Sequence, residues 1–249
     1  MATSTAELGE DIRKGLEDLS TCEISDALVK LGNVTGGFIP NLNIYSPSGR
    51  EEEDVKVVGR VFTVRLVEQE RPDQEHSNGS KAEQHFVDAA PSGSVILISP
   101  DFVSGAACWG GLMSTAAKAK GIKGVVVLGG CRDFKEHREI GFPVFAQFHS
   151  TLGQKTFLRP SEYNASLEIP ILPPPHHIQI PHSEPIRKTR VDPGDILVGD
   201  IDGVVAIPFH QVEEVIRVAQ KGREVDENVK KDLEVGKGVK ESMKKWRGS

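Results

Sequence analysis

Arg132 and Asp133 stand side by side at the end of an all-aliphatic run, within "GVVVLGGCRDFKEH" from Gly124 to His137. An arginine fork grips a carboxylate through two parallel N–H···O bonds, and an aspartate offers a hard oxygen ligand for Mg2+ or Mn2+. Gly129 and Gly130 come just before the pair, and glycine lets a ligand approach backbone closely. If the run is a buried strand, the pair occupies its carboxyl end, where ligands of α/β sheets collect. Spacing alone leaves a second reading open, in which the two side chains merely cap the short helix that follows.

A second feature lies upstream. In "GAACWGGLMST" the glycines place the amides of Leu112 and Met113 at the start of an alanine-rich helix, the positive end that binds anions. Twenty residues separate Gly111 from Arg132, enough for one helix and one strand that return to the same sheet edge. A tight turn with no ligand fits the same residues. Asp26 falls near the apolar face of an early helix and reads as semi-buried, while Asp200 and Asp202 fall at a strand turn where Asp-Gly chemistry is common. His137 reads as packing or solvated. His176 and His177 are adjacent rather than four apart, so they do not form a two-histidine metal face, and the chain has no Walker loop, GxGxxG or GxSxG.

The elements that must position these residues follow from periodicity. Leu8, Ile12, Leu16 and Leu19 recur at helical spacing, and "STCE" at Ser20 to Glu23 is a capping box that opens a second helix ending at Gly32. The stretch from Gly36 to Asp54 reads as an exposed loop, and "KVVGRVFTVRLV" as a strand. "SVILIS", the helix "GLMSTAAKAKG" and the strand "GVVVLGG" form a β-α-β unit whose strands, apolar on both faces, predict parallel pairing under helices. "FKEHREIG" gives a short helix and "FPVFAQF" another strand. The polar segment 69–81 and the proline- and histidine-rich segment 170–185 read as loops or insertions. "DILVGD" and "GVVAIP" are strands joined at Ile201 to Gly203, and amphipathic helix runs from Val212 to Trp246, broken near Gly236 and Gly238.

Composition narrows the class. The chain has 249 residues and a net charge of −6, without the clustered basic face of a nucleic-acid binder. Three cysteines, Cys22, Cys108 and Cys131, form no CxxC pair and suit a reducing compartment. With no signal pattern and no long apolar run, the expectation is a cytoplasmic protein with no membrane contact.

"LSTCEISDAL", "GGLMSTAAKAKGIKGVVVLGGCRD" with "GFPVFA" after it, and "VDPGDILVGDIDGVVAIP" resemble the RraA-like family over about 16–247. That family includes regulators of ribonuclease E activity and class II 4-hydroxy-4-methyl-2-oxoglutarate / 4-carboxy-4-hydroxy-2-oxoadipate aldolases, which also decarboxylate oxaloacetate. The resemblance implies an α/β fold: a single β/β/α three-layer sandwich of the swivelling-domain type with N- and C-terminal helices, assembled as a homotrimer or dimer of trimers with sites between subunits. It implies that Arg132 and the amides after the glycine turn, at Gly111, Leu112 and Met113, hold the carboxylate of a small 2-keto acid. Asp133 would ligate Mg2+ or Mn2+, with Asp26 and Asp226 of a neighbouring subunit contacting metal-bound water. The aldolase branch carries aspartate where this chain has Gly111, so decarboxylation is implied more directly than retro-aldol cleavage. Two alternatives stand beside this lyase: a non-catalytic, acidic regulator that binds a basic protein partner, and a related lyase acting on a specialised metabolite.

Overall fold

A computed structural model describes residues 7–49, 53–71, 80–81, 84–102, 104–171 and 186–248. Most of both predicted loops, 69–81 and 170–185, lies outside these residues, as do His176 and His177.

The sequence alternates strand and helix through its centre. β1 (Phe38–Ile39), β2 (Asn43–Ser46), β3 (Val57–Glu68) and β4 (Ser80–Lys81) precede α3 (Phe86–Ala89), β5 (Val95–Pro100), β6 (Ala107–Trp109), α4 (Gly111–Ala119), β7 (Gly124–Cys131), α5 (Phe134–Ile140) and β8 (Val144–His149). β9 (Leu158–Tyr163), β10 (Leu167–Pro170), β11 (Lys188–Val191), β12 (Ile196–Asp200) and β13 (Gly203–Ile207) follow. Helices α1 (Glu10–Glu17) and α2 (Thr21–Lys30) open the chain, and α6 (Val212–Glu234) and α7 (Val239–Arg247) close it. The main sheet runs β1-β13-β12-β3-β5-β7-β8-β2, with β6 beside β7 and β9 beside β3; β10 and β11 form a separate hairpin.

The twelve-residue β3 belongs to both halves of that sheet. Val57 to Arg60 pair antiparallel with β12, and Val61 to Leu66 pair parallel with β5. Side chains of a strand alternate between faces, and the apolar residues sort accordingly. Val57, Val61, Val95, Leu97, Val126, Phe145, Leu197, Val204 and Ala206 meet in one interior cluster, while the residues between them face outward under helices. Gly199 of β12 leaves room for Phe145 of β8, whose ring would lie 3.0 Å from a Cβ there, so the two halves of the sheet close on each other. Outward residues of β5, β7 and β8 pack with α4 and the aromatics Phe86, Trp109 and Phe142. Outward residues of β12 and β13 pack with Leu16, Ile24 and Leu28 and with Val215 of α6. The β/β/α order expected of the sequence is present, with α1, α2 and α6 forming a further helical layer on the opposite outer face.

Local rules place the first helices. Ser20 Oγ accepts the Glu23 amide and Glu23 accepts the Ser20 amide, completing the capping box, and Gly32 follows α2 with φ +91°, the left-handed conformation that suits glycine. The stretch read as an exposed loop, 36–54, instead contains β1 and β2, with Ile39 and Ser46 buried. Two- and four-residue strands hold too few alternating positions to register as a pattern; they form because β13 and β8 present edges to them.

Candidate active site

Three strand ends converge at the carboxyl end of β7. β6 pairs parallel with Gly130 and Cys131 on one side, and β8 reaches Phe148 and His149 on the other. The Arg132 amide donates to Trp109 O at 3.0 Å and the Ser150 amide to Cys131 O at 3.0 Å. Arg132 and Asp133 therefore emerge between Gly110-Gly111, which starts α4, and the segment from His149 to Gly153. Asp133 is one of three non-glycine residues with positive φ among those described, at +66°, a conformation that aspartate tolerates better than most. It places the carboxylate over the first turn of α4.

There, Asp133 Oδ2 accepts the Gly111 amide at 3.0 Å and lies 3.4 Å from Arg132 Nε. Both side chains remain open to solvent, Arg132 at 44% and Asp133 at 37%. On the β8 side a cavity of about 320 Å3 is lined by Arg132, Asp133, Phe134, His149, Ser150 and Thr151. Phe134 and His149 are its aromatic lining, and Tyr45 packs against both rings, with the three ring centroids 4.8 to 6.2 Å apart. A carboxylate entering there meets a guanidinium from a solvated side, with one aspartate oxygen already engaged beside it.

Three glycines make room for this charged group, and they are not the two expected. A Cβ at Gly110 would lie 2.7 Å from Asp133 Oδ2, one at Gly111 would lie 1.7 Å from Glu136 Oε2, and one at Gly153 would lie 2.9 Å from Arg132 Nη1. By contrast Gly129 and Gly130, read as clearance for a ligand, are buried inside β7. Their free space is filled by Cys108 Sγ and by the Phe148 ring, 2.7 Å from a Cβ at Gly130. They serve packing between neighbouring strands.

The amides at the start of α4 divide in the same way. The Met113 amide, expected to be free for an anion, donates to Gly110 O at 3.0 Å because the first turn closes tightly, and the Gly111 amide is held by Asp133. Leu112, 77% exposed, keeps a first-turn N–H with no partner among the described residues, as helix starts do.

Asp26 is exposed rather than semi-buried, and it sits on α2, which packs against α6, β12 and β13. Asp226 on α6 pairs with Arg247 at 2.5 Å. Both belong to the helical layer opposite α4 and α5, so one chain does not bring them to Asp133. Asp200 is buried, accepting the Thr21 amide and hydroxyl at 2.7 and 2.6 Å; its work is to fasten α2 to the β12-β13 turn. His137 is fully buried. Its Nδ1 lies 2.9 Å from Ser114 Oγ, which accepts Trp109 Nε1 at 2.7 Å, and burial pushes its pKa down, so it is a neutral strut beneath the site. Burial also pushes the Cys108 and Cys131 thiols up to about 12, which leaves them unreactive.

Sequence reasoning missed Glu136, His149 and Gly153. Glu136 follows Asp133 by three residues, so one helical turn carries it beside its neighbour, and that spacing was the available signal. His149 and Gly153 reach the site only through the parallel pairing of β8 with β7.

The fold and the convergent strand ends define an α/β protein with a ligand-type site at a parallel strand terminus. A family model described as RraA-like, Aldolase/RraA, matches residues 21–206, and the chain belongs to that family. A Halalkalibacterium halodurans protein provisionally named 4-hydroxy-4-methyl-2-oxoglutarate aldolase is 33% identical over 211 residues, 84% of this chain and 81% of that one. Legionella pneumophila DlpA is 26% identical over 93% of this chain, which spans only 33% of DlpA's length. A Pseudomonas syringae pv. tomato structure superposes with a TM-score of 0.69 at 24% identity, covering 94% of this chain and 98% of that one. Streptomyces coelicolor RraAS2, an unusual member of the RNase ES inhibitor RraA protein family, does so at 0.64 and 20%, covering 89% of this chain and 96% of that one. These two establish the fold. No described helix is long and apolar enough to cross a membrane.

Proposed function

We propose that the chain is a carbon–carbon lyase acting on short 2-keto acids in the presence of Mg2+ or Mn2+, by oxaloacetate decarboxylation, retro-aldol cleavage of a 4-hydroxy-2-oxo diacid, or both. The observation that carries the reading is the cleared space at Gly110, Gly111 and Gly153, which seats Asp133, Glu136 and Arg132 around one strand end. The provisional aldolase name of a 33% identical relative points the same way.

The donor chemistry fits a hard cation in part. Asp133 supplies one oxygen that is not engaged by Gly111, beside solvent. Among the described residues no three His, Cys, Asp or Glu side chains gather to hold a metal within one chain, so water or a second copy must complete the shell. Asp26 and Asp226 lie in the opposite helical layer and reach another chain's Asp133 only in a homo-oligomer; a trimer or a dimer of trimers is the assembly proposed. A divalent cation, when bound, supplies Lewis-acid stabilisation of negative charge on the keto oxygen.

The chain's own residues do the rest. Arg132 holds the substrate carboxylate in its fork and fixes the bond to be broken. The Leu112 amide adds a donor at the positive end of α4. Phe134 and His149 line one side of the cavity, and Tyr45 packs against both rings. Purified protein is assayed for pyruvate with oxaloacetate and with 4-hydroxy-4-methyl-2-oxoglutarate, with Mg2+ or Mn2+ and with chelator. Turnover above the metal-only background is expected, and Arg132→Ala is expected to lose about 30–1000-fold in kcat/KM. Background rates with both substrates rule the reading out.

A further inference from the structure

Glu136 is the carboxylate of this site without a committed partner. Asp133 Oδ2 is engaged by the Gly111 amide and Arg132 Nε. Glu136 is exposed and makes no hydrogen bond or ion pair among the described residues. It lies against Gly111, with Oε2 at 1.7 Å, Cδ at 2.5 Å and Cβ at 2.8 Å from where a Cβ of residue 111 would be. The Gly111 N–H meets Asp133 while its Cα face meets Glu136, so the two carboxylates flank the residue that begins α4. Glu136 thus lies one helical turn from Asp133, across Gly111 from it, with no donor fixed to its carboxylate among the described residues.

We propose that Glu136 is the proton-carrying residue of the lyase reaction, a step that rests on the reading above. In retro-aldol cleavage Glu136 takes the proton of the C4 hydroxyl. The C3–C4 bond breaks as C4 becomes a ketone, and its electron pair passes to C3 and onto the C2 oxygen as the enolate of pyruvate. The proton on Glu136 then returns to C3, so no oxidant, reductant or net proton is needed. Oxaloacetate loses CO2 without this first abstraction and takes its C3 proton from solvent, so it depends on Glu136 far less.

The test compares the two substrates in Glu136→Gln, which keeps size and removes proton transfer. Retro-aldol kcat is expected to fall about 10²–10⁴-fold, and oxaloacetate turnover no more than about tenfold. Equal losses with both substrates, retro-aldol turnover within about threefold of wild type, or a wild-type protein that decarboxylates but never cleaves the aldol substrate each overturn the assignment while leaving the lyase reading in place. Wild type inert to both substrates overturns that reading first. Gly111→Asp/Glu136→Gly returns a carboxylate to the same space from the other side and also removes the Glu136 Cβ, which lies 2.8 Å from where a Cβ of residue 111 would be. It is expected to regain at least about tenfold retro-aldol activity over Glu136→Gly alone, and no gain in a variant that keeps the wild-type thermal midpoint overturns the proposal.

Discussion

Gly110→Ala isolates the placement of Asp133 from everything else. The backbone at Gly110 is extended, with φ −145° and ψ 176°, so alanine fits its conformation without strain and only the new methyl matters. That methyl falls 2.7 Å from Asp133 Oδ2, and an ordinary contact requires the carboxylate to withdraw by at least about half an ångström. The Gly111 N–H···Oδ2 bond, now 3.0 Å, then stretches to the edge of hydrogen-bonding distance. The bond is partly exposed, so its loss costs about 1 kcal/mol of stability.

The effect on turnover is larger, because misplacing a reacting group by about 1 Å costs about 100-fold. A 10–100-fold drop in kcat/KM is expected, roughly 1.4–2.7 kcal/mol at the transition state, together with weaker activation by Mn2+. Pyruvate release against metal concentration, recorded beside the thermal midpoint, measures both. A Gly110→Ala protein with wild-type stability, kcat/KM within about twofold and an unchanged metal dependence refutes the claim that Asp133 must stay where Gly110 lets it lie.

Gly222→Ala serves as the opposite case: it lies inside α6 and, among the described residues, only Lys30 Nζ is near a new Cβ, at 3.3 Å, so stability rises by about 0.5–1 kcal/mol with turnover unchanged, read by urea unfolding and the same assay. Ser114→Ala strips the partner from buried Trp109 Nε1 and His137 Nδ1, and the urea midpoint is expected to report a loss of about 2–4 kcal/mol. Arg223 beside Glu23 holds its carboxyl down to about 2. Because the folded value lies below the unfolded one, this stabilisation is present above about pH 4.5 and is lost as pH falls towards 2. Glu23→Gln is therefore expected to cost on the order of 2 kcal/mol at pH 7 after screening, and the gap to wild type in urea midpoint shrinks by pH 3; a gap that stays constant refutes the pairing.

The frame of the fold was legible because its strongest signals are local. The capping box at Ser20 and Glu23, the aliphatic runs of β5 and β7 and the helix between them each carry their own pattern. β1, β2 and β6 were not legible, since short strands are defined by the edge they join. The helices α1 and α6 were legible from their amphipathic spacing, but that they form a second layer opposite α4 depends on β3 turning from one half of the sheet into the other, a long-range event no window of residues records.

The site was legible in its charges and misread in its spaces. Arg132 and Asp133 declare themselves by type, whereas a glycine declares only that something is absent. Gly129 and Gly130 adjoin the charged pair in sequence, yet Phe148 and Cys108 fill the space beside them. Gly153 is remote in sequence, yet the Arg132 guanidinium lies over it. Gly111 is the sharpest case: read along the chain it is an acid missing from an expected position, and in space it is the opening that Glu136 fills. Whether position 111 holds a side chain is thus decided by residue 136, one helical turn beyond Asp133, and the two positions act as one.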